Sequence, residues 1–108
     1  MELKDLERLK NCNTETELVK IVQEIDDWVL FRGYNSEQIF CLVNELIKID
    51  LLSVKYETRE EILNMFCDAI SYYGFSKDVN WERVIKIKDK LEDDLKEYVA
   101  DFMEPISN

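Results

Sequence analysis

Phe31-Arg32-Gly33-Tyr34-Asn35 and, 41 residues on, Tyr72-Tyr73-Gly74-Phe75-Ser76 share one pattern: an aromatic, one variable position, glycine, a second aromatic, then a side chain able to cap a helix. A helix closed by a left-handed glycine, an aromatic folding back on the last turn and an Asn or Ser opening the next helix together specify a helical hairpin. The correspondence extends upstream. Ile21 and Val22 match Ile62 and Leu63, Ile25 matches Phe66, Asp27 matches Asp68, and Val29 matches Ile70. Duplication of one unit and two independent solutions to the same turn both remain open. Two units are fewer than the three or more that a helical-repeat array needs, so a compact bundle is expected.

Upstream of Gly33, Thr14 with Glu17 forms a Thr-x-x-Glu capping box, and Leu18, Ile21, Val22, Ile25, Trp28 and Val29 recur at three and four residues. This predicts a helix from Thr14 to about Arg32 with that stripe facing a core. Before it, Leu3, Leu6 and Leu9 mark a short strap-like helix ending near Asn11 to Asn13. After the turn, Asn35 or Ser36 caps a helix carrying Ile39, Phe40, Val43, Leu46 and Ile47, which ends around Asp50. Leu51 to Glu57 reads as a connector. A second capping box, Thr58 with Glu61, opens a helix with Ile62, Leu63, Phe66, Ala69, Ile70 and Tyr73 on its stripe, closed by Gly74. A last helix is expected from Asp78 to Trp81 through Met103, with Trp81, Val84, Lys88, Leu91, Leu95, Tyr98 and Phe102 as its seam and Pro105 forbidding extension. The fold expected is all-α: a compact antiparallel bundle of about five helices built from two helical hairpins plus a short N-terminal helix. Residues 1–108 form a single domain on this reading.

Composition bounds the chemistry. The chain has no histidine, which removes the usual general base, the commonest transition-metal ligand and the Ser/His and Cys/His nucleophile systems. Cys12, Cys41 and Cys67 contain no CxxC pair, so no zinc knuckle or redox pair assembles locally, and they read as small apolar fillers. Only Gly33 and Gly74 are available, too few for a phosphate-cradling loop. A calcium loop counted from Asp26 would place Trp28 and Leu30 at ligand positions, which rejects it. No cofactor and no metal are expected. The formal charge of −10 repels phosphate backbones and anionic lipids, so neither nucleic acid nor membrane is an expected partner. With no basic leader followed by an apolar run, and no stretch near the ~18 uncharged residues of a membrane span, a cytoplasmic protein is expected.

The acidic doublets Asp26/Asp27, Glu60/Glu61 and Asp93/Asp94 read as solvated helix faces, because adjacent helical residues point about 100° apart. The basic cluster Arg83, Lys86, Lys88 and Lys90 is interleaved with acids and reads as a polar face or as pairing within the bundle. The aromatics are more pointed. At about 100° per residue, Phe31 lies about 120° from Ile25, and Tyr72 lies about 120° from Phe66 in the same sense, so both fall off the core face. Either each packs beneath its turn aromatic, Tyr34 or Phe75, or each stands exposed among acids such as Glu24, Asp27 and Asp68.

The second arrangement is how a protein binds a basic partner, with aromatics anchoring and charges steering. The candidate partner-binding residues are therefore Glu24, Asp27, Phe31, Tyr34, Asp68 and Tyr72. The function expected is an immunity protein or inhibitor that neutralises a basic toxin of the nuclease type, its carboxylates occupying the groove that substrate phosphates would fill. Few Ala and Gly with many Ile, Asn, Lys and Glu suggest an AT-rich bacterial or phage genome. The profile is similar in kind to bacteriocin and contact-dependent toxin immunity proteins, a likeness of size, charge and helicity without a shared motif. The alternative is a secretion or assembly chaperone holding an amphipathic helix of its client. A small enzyme is the third reading, and it would need a carboxylate pair inside a pocket. Monomer and dimer are both compatible with the sequence.

Overall fold

The computed structural model describes residues 3–73 and 79–107, with residues 102–107 described by backbone alone. The helices are α1 (Lys4–Asn11), α2 (Glu15–Leu30), α3 (Ser36–Leu46), α4 (Tyr56–Tyr73), α5 (Glu82–Ile85) and α6 (Asp93–Ser107), with a 3-10 turn at Lys88–Lys90 between the last two. No strand occurs among the described residues. The fold is an all-helical bundle.

Local chemistry sets the starts of α2 and α3. The Thr14 hydroxyl accepts from the amide of Glu17 at 3.2 Å and opens α2. Asn35 opens α3 with a reciprocal box, its side chain accepting from the amide of Gln38 at 2.8 Å while the Gln38 side chain accepts from the amide of Asn35 at 2.9 Å. The start of α4 is different. It begins at Tyr56, so Thr58 lies inside the helix and is buried instead of capping it. The cap comes from another helix: Oε1 of Glu15 accepts from the amide of Lys55 and from the hydroxyl of Thr58, both at 2.8 Å. These bonds, the backbone one foremost, hold the Glu15 carboxyl below its usual titration range.

The same contacts give the helix order in space. Glu15 meets Thr58 at the two N-terminal ends, Gln23 donates to Glu61, and Asn64 donates to Asp26. Hence α2 and α4 run side by side in the same direction, and α4 packs against α2, α3 and α6. Its face buries Ile62, Leu63, Met65, Phe66 and Ala69, which meet Ile21, Val22, Ile25 and Val29 of α2 in one continuous core. The strap α1 lies on α2 and α3 with Leu9 buried.

The single long final helix is not what forms. The chain is extended at Leu91 (ψ 158°), which separates the 3-10 turn from α6. No glycine or proline stands there, so the break is imposed by tertiary contacts. Trp81 packs edge-on against Phe66 at 5.3 Å, Val84 and Leu91 are buried, and Glu92 is drawn in by Arg59. Arg59 is the hub of this region: it donates to the carbonyls of Leu51 (2.7 Å) and Val54 (2.9 Å) and to both oxygens of Glu92 (2.7 Å). One straight helix cannot meet all of these sites. Beyond the break, Leu95 and Val99 are buried, so Val99 takes the place that the sequence pattern gave to Tyr98. Helix α6 continues through Pro105 to Ser107, its last turn absorbing the one missing donor.

Helix α3 ends at Leu46, four residues short of Asp50, and Asp50 instead organises the connector, accepting from the amide of Leu52 and the hydroxyl of Ser53. Gly74, Phe75, Ser76 and Asp78, and with them the second copy of the turn, lie outside the described residues.

Candidate functional site

The turn after α2 is a Schellman motif: the amide of Gly33 donates to the carbonyl of Trp28 at 2.7 Å, and the amide of Arg32 donates to that of Val29 at 3.0 Å. Its left-handed residue is Arg32 (φ 55°), not Gly33. Glycine is required one position later for a different reason. A β-carbon at Gly33 would sit 1.9 Å from Cε3 of Trp28, so the Cε3 edge of the indole ring packs directly against the glycine backbone. One edge of the ring is thereby fixed while the residue as a whole stays 55% exposed.

Placing Trp28 on the core stripe of α2 is accordingly a misreading. Taken from Ile25 at about 100° per residue, the buried residues of α2 centre near Ile25 and Val29, and Trp28 falls at the edge of that stripe. Glu24, Asp27, Trp28 and Phe31 then fill one adjoining sector about 100° wide. They line an open cleft of about 400 Å³. Phe31 is 83% exposed, and Leu30 beside it 45%. Three exposed large apolar side chains within four residues, Trp28, Leu30 and Phe31, flanking a tight helix end form a patch that a water-exposed surface does not need.

The six residues singled out from the sequence divide. Phe31 and Asp27 stand exposed, and half-exposed Glu24 is held in place by the guanidinium of Arg8, which also bonds Asp5 at 3.1 Å. Tyr72 is 42% exposed, and the guanidinium of Arg32 lies 5.6 Å from its ring centre, so a cation already covers it. Tyr34 does not belong to the surface. It is only 9% exposed, its hydroxyl donates to Asp5, and its carbonyl accepts from the hydroxyl of Tyr73 at 2.7 Å. The residue braces the turn from beneath, and burial with the Asp5 bond pushes its own titration upward. Asp68 is half-buried and faces Asp26 of α2. Phe31 does not pack beneath Tyr34, which decides between the two readings of the off-core aromatics for this copy of the turn.

Trp28 and Leu30 were missed by sequence reasoning. The signal for Trp28 was present in the i, i+3, i+4, i+7 spacing of Glu24, Asp27, Trp28 and Phe31, and in a glycine placed where the ring needs one.

Elsewhere the acids of the doublets differ in exposure. Asp27, Asp93 and Asp94 are exposed, whereas Asp26, turned toward α4, and both Glu60 and Glu61 are half-buried, which departs from the solvated-face expectation. A second depression, of about 210 Å³, is bordered by Glu60, Asp94, Glu97, Tyr98 and Asp101. Among the described residues no group of three His, Cys, Asp or Glu is arranged to hold a metal ion. No described helix is long and apolar enough to cross a membrane. All three cysteines are free and half-buried. The sequence matches no protein-family model, and neither a curated protein nor a solved structure matches it.

Proposed function

We propose that this chain is a protein-binding module that docks a basic partner on the C-terminal end of α2, and that it performs no reaction of its own. The observation that carries the reading is Phe31, 83% exposed on a helix end fixed by two Schellman hydrogen bonds, next to Trp28 and flanked by Glu24 and Asp27. Exposed aromatics on a rigid support lose little entropy on binding and make strong anchors, while carboxylates around them select cationic side chains. A net charge of −10 adds long-range attraction, raising association from about 10⁶ toward 10⁸ to 10⁹ M⁻¹s⁻¹ at low salt. Speed of this kind suits an inhibitor that acts before damage is done. The partner we propose is a toxin of the nuclease type, its cationic groove occupied by acids in place of phosphates, in a cytoplasmic bacterial setting.

The test uses the product of the neighbouring open reading frame, expressed as a purified basic domain. Tight association is expected, with an on-rate falling at least tenfold between about 50 and about 300 mM salt. Phe31→Ala should cost about 2 kcal/mol or more of binding while leaving stability within about 0.5 kcal/mol. A salt-insensitive on-rate together with an unaffected Phe31→Ala complex would refute the reading. The chaperone reading has one observation in its favour, a groove of about 330 Å³ walled by Ile47, Ile49, Leu51, Val84 and Ile87. That volume admits a few side chains, not several turns of an amphipathic helix.

A further inference from the structure

Asp26 is an acid of α2 that the docking surface does not use. It packs against α4, and its two oxygens meet different surroundings. Oδ2 accepts from Nδ2 of Asn64 at 3.2 Å. Oδ1 is buried and receives no hydrogen bond. One turn beyond Asn64 on α4, and so on the same side of that helix, stands half-buried Asp68, whose carboxyl bears on that of Asp26. Two ionised carboxylates are acceptors only, so nothing would occupy the space between them but repulsion in a site partly withdrawn from water. The other charged groups bearing on Asp26 sharpen the conflict, since Asp27 on α2 and Glu61 on α4 are both acidic. A buried acceptor without a donor and an adjacent second acid are reconciled by one hydrogen.

We infer that Asp26 and Asp68 hold a single proton between them at neutral pH, as a carboxyl–carboxylate hydrogen bond that clasps α2 to α4 and opens when the pair ionises. This clasp sits where the two parallel helices meet, and it is independent of any partner. Burial, followed by the hydrogen bond to and the repulsion from Asp68, pushes Asp26 up to about 8. In the unfolded chain the same group ionises near 3.8. Between those values the folded state holds one proton more than the unfolded state, so the folding constant falls by up to about tenfold per pH unit. The contribution is complete below the lower value and lost once pH has risen through the upper one.

The experiment is urea unfolding of the wild type, Asp26→Asn and Asp68→Asn from pH 5 to 9. In either variant the amide supplies the hydrogen at every pH. The wild type should show a steeper loss of stability with rising pH than both variants, the difference approaching one proton, and Asp26→Asn should be the more urea-resistant protein at pH 9. The drift from the overall negative charge is shared and cancels in the comparison. If Asp26→Asn does not fold, Asp68→Asn decides alone. An infrared carbonyl band of a protonated carboxyl should persist at pH 7 in the wild type and vanish in the variants. Parallel pH profiles, or the absence of that band from the wild type, would overturn the inference.

Discussion

Replacing Gly33 by alanine tests whether the exposed aromatic surface is built or incidental. The new β-carbon would start 1.9 Å from Cε3 and 2.7 Å from Cζ3 of Trp28. Ordinary carbon contacts lie at about 3.5 to 4 Å, so the ring must swing away by more than 1.5 Å or the turn must open. Overpacking of this kind costs about 1 to 3 kcal/mol, and because Trp28 has solvent on one side the lower half of that range is expected, about 1 to 2 kcal/mol. Gly33 is not in the left-handed region, so in the absence of the ring an alanine is welcome there and restricts the unfolded chain, a gain of about 0.4 to 1 kcal/mol. The sign of the effect should therefore reverse. Gly33→Ala destabilises the wild type and stabilises Trp28→Ala, a coupling of about 2 kcal/mol measured by urea unfolding of the four proteins. The indole emission should also shift, with buried Trp81 as the unchanged background. A Gly33→Ala effect that is the same with and without Trp28 would refute the close contact, and with it the claim that the turn orients the docking surface.

Other expectations follow from the bonds that join the helices. Arg59→Ala strands the carbonyls of Leu51 and Val54 and leaves Glu92 without its cation, so a loss of about 2 to 4 kcal/mol is expected in denaturant unfolding, with Arg59→Lys recovering only part of it. The bonds from Lys55 and Thr58 hold Glu15 below its ordinary value of 4.5 in the folded protein, so its contribution is present above that pH and lost as pH falls through the lower folded value; Glu15→Gln should show a shallower acid limb in thermal unfolding. Cys67, whose Sγ donates to the carbonyl of Tyr98, is pushed up to about 12 by burial, so it should resist a disulfide reagent at pH 8 and react only at the rate at which the protein opens.

The helices were legible wherever the determinant was local. The Thr14 and Asn35 caps, the stripe of Leu18, Ile21, Val22, Ile25 and Val29, and the stop at Gly33 are decided within a few residues, and the chain shows them. What escaped the sequence was decided at a distance. Thr58 looked like a cap because Glu15, more than forty positions away, supplies the actual one. The region from Trp81 to Leu95 carried a continuous helical period, yet Phe66 and Arg59 pull its two ends to sites that a straight rod cannot reach together. At the docking surface, Phe31 was placed off the core by its angle alone. Trp28 was not, because its position at the border of the stripe is settled by the glycine on which its ring rests. Tyr34 shared the turn with both, but only the location of α1 shows that its hydroxyl is already committed to Asp5.

The parallel union of α2 with α4 has a consequence for how the chain can be divided. Each half of the sequence carries a helix whose oily flank is sheathed by the other half, so neither half is self-sufficient. Cleavage in the segment between α3 and α4 would yield two fragments that remain largely unstructured alone and regain helicity on mixing, a split pair whose reassembly reports on the seam between Glu15 and Thr58.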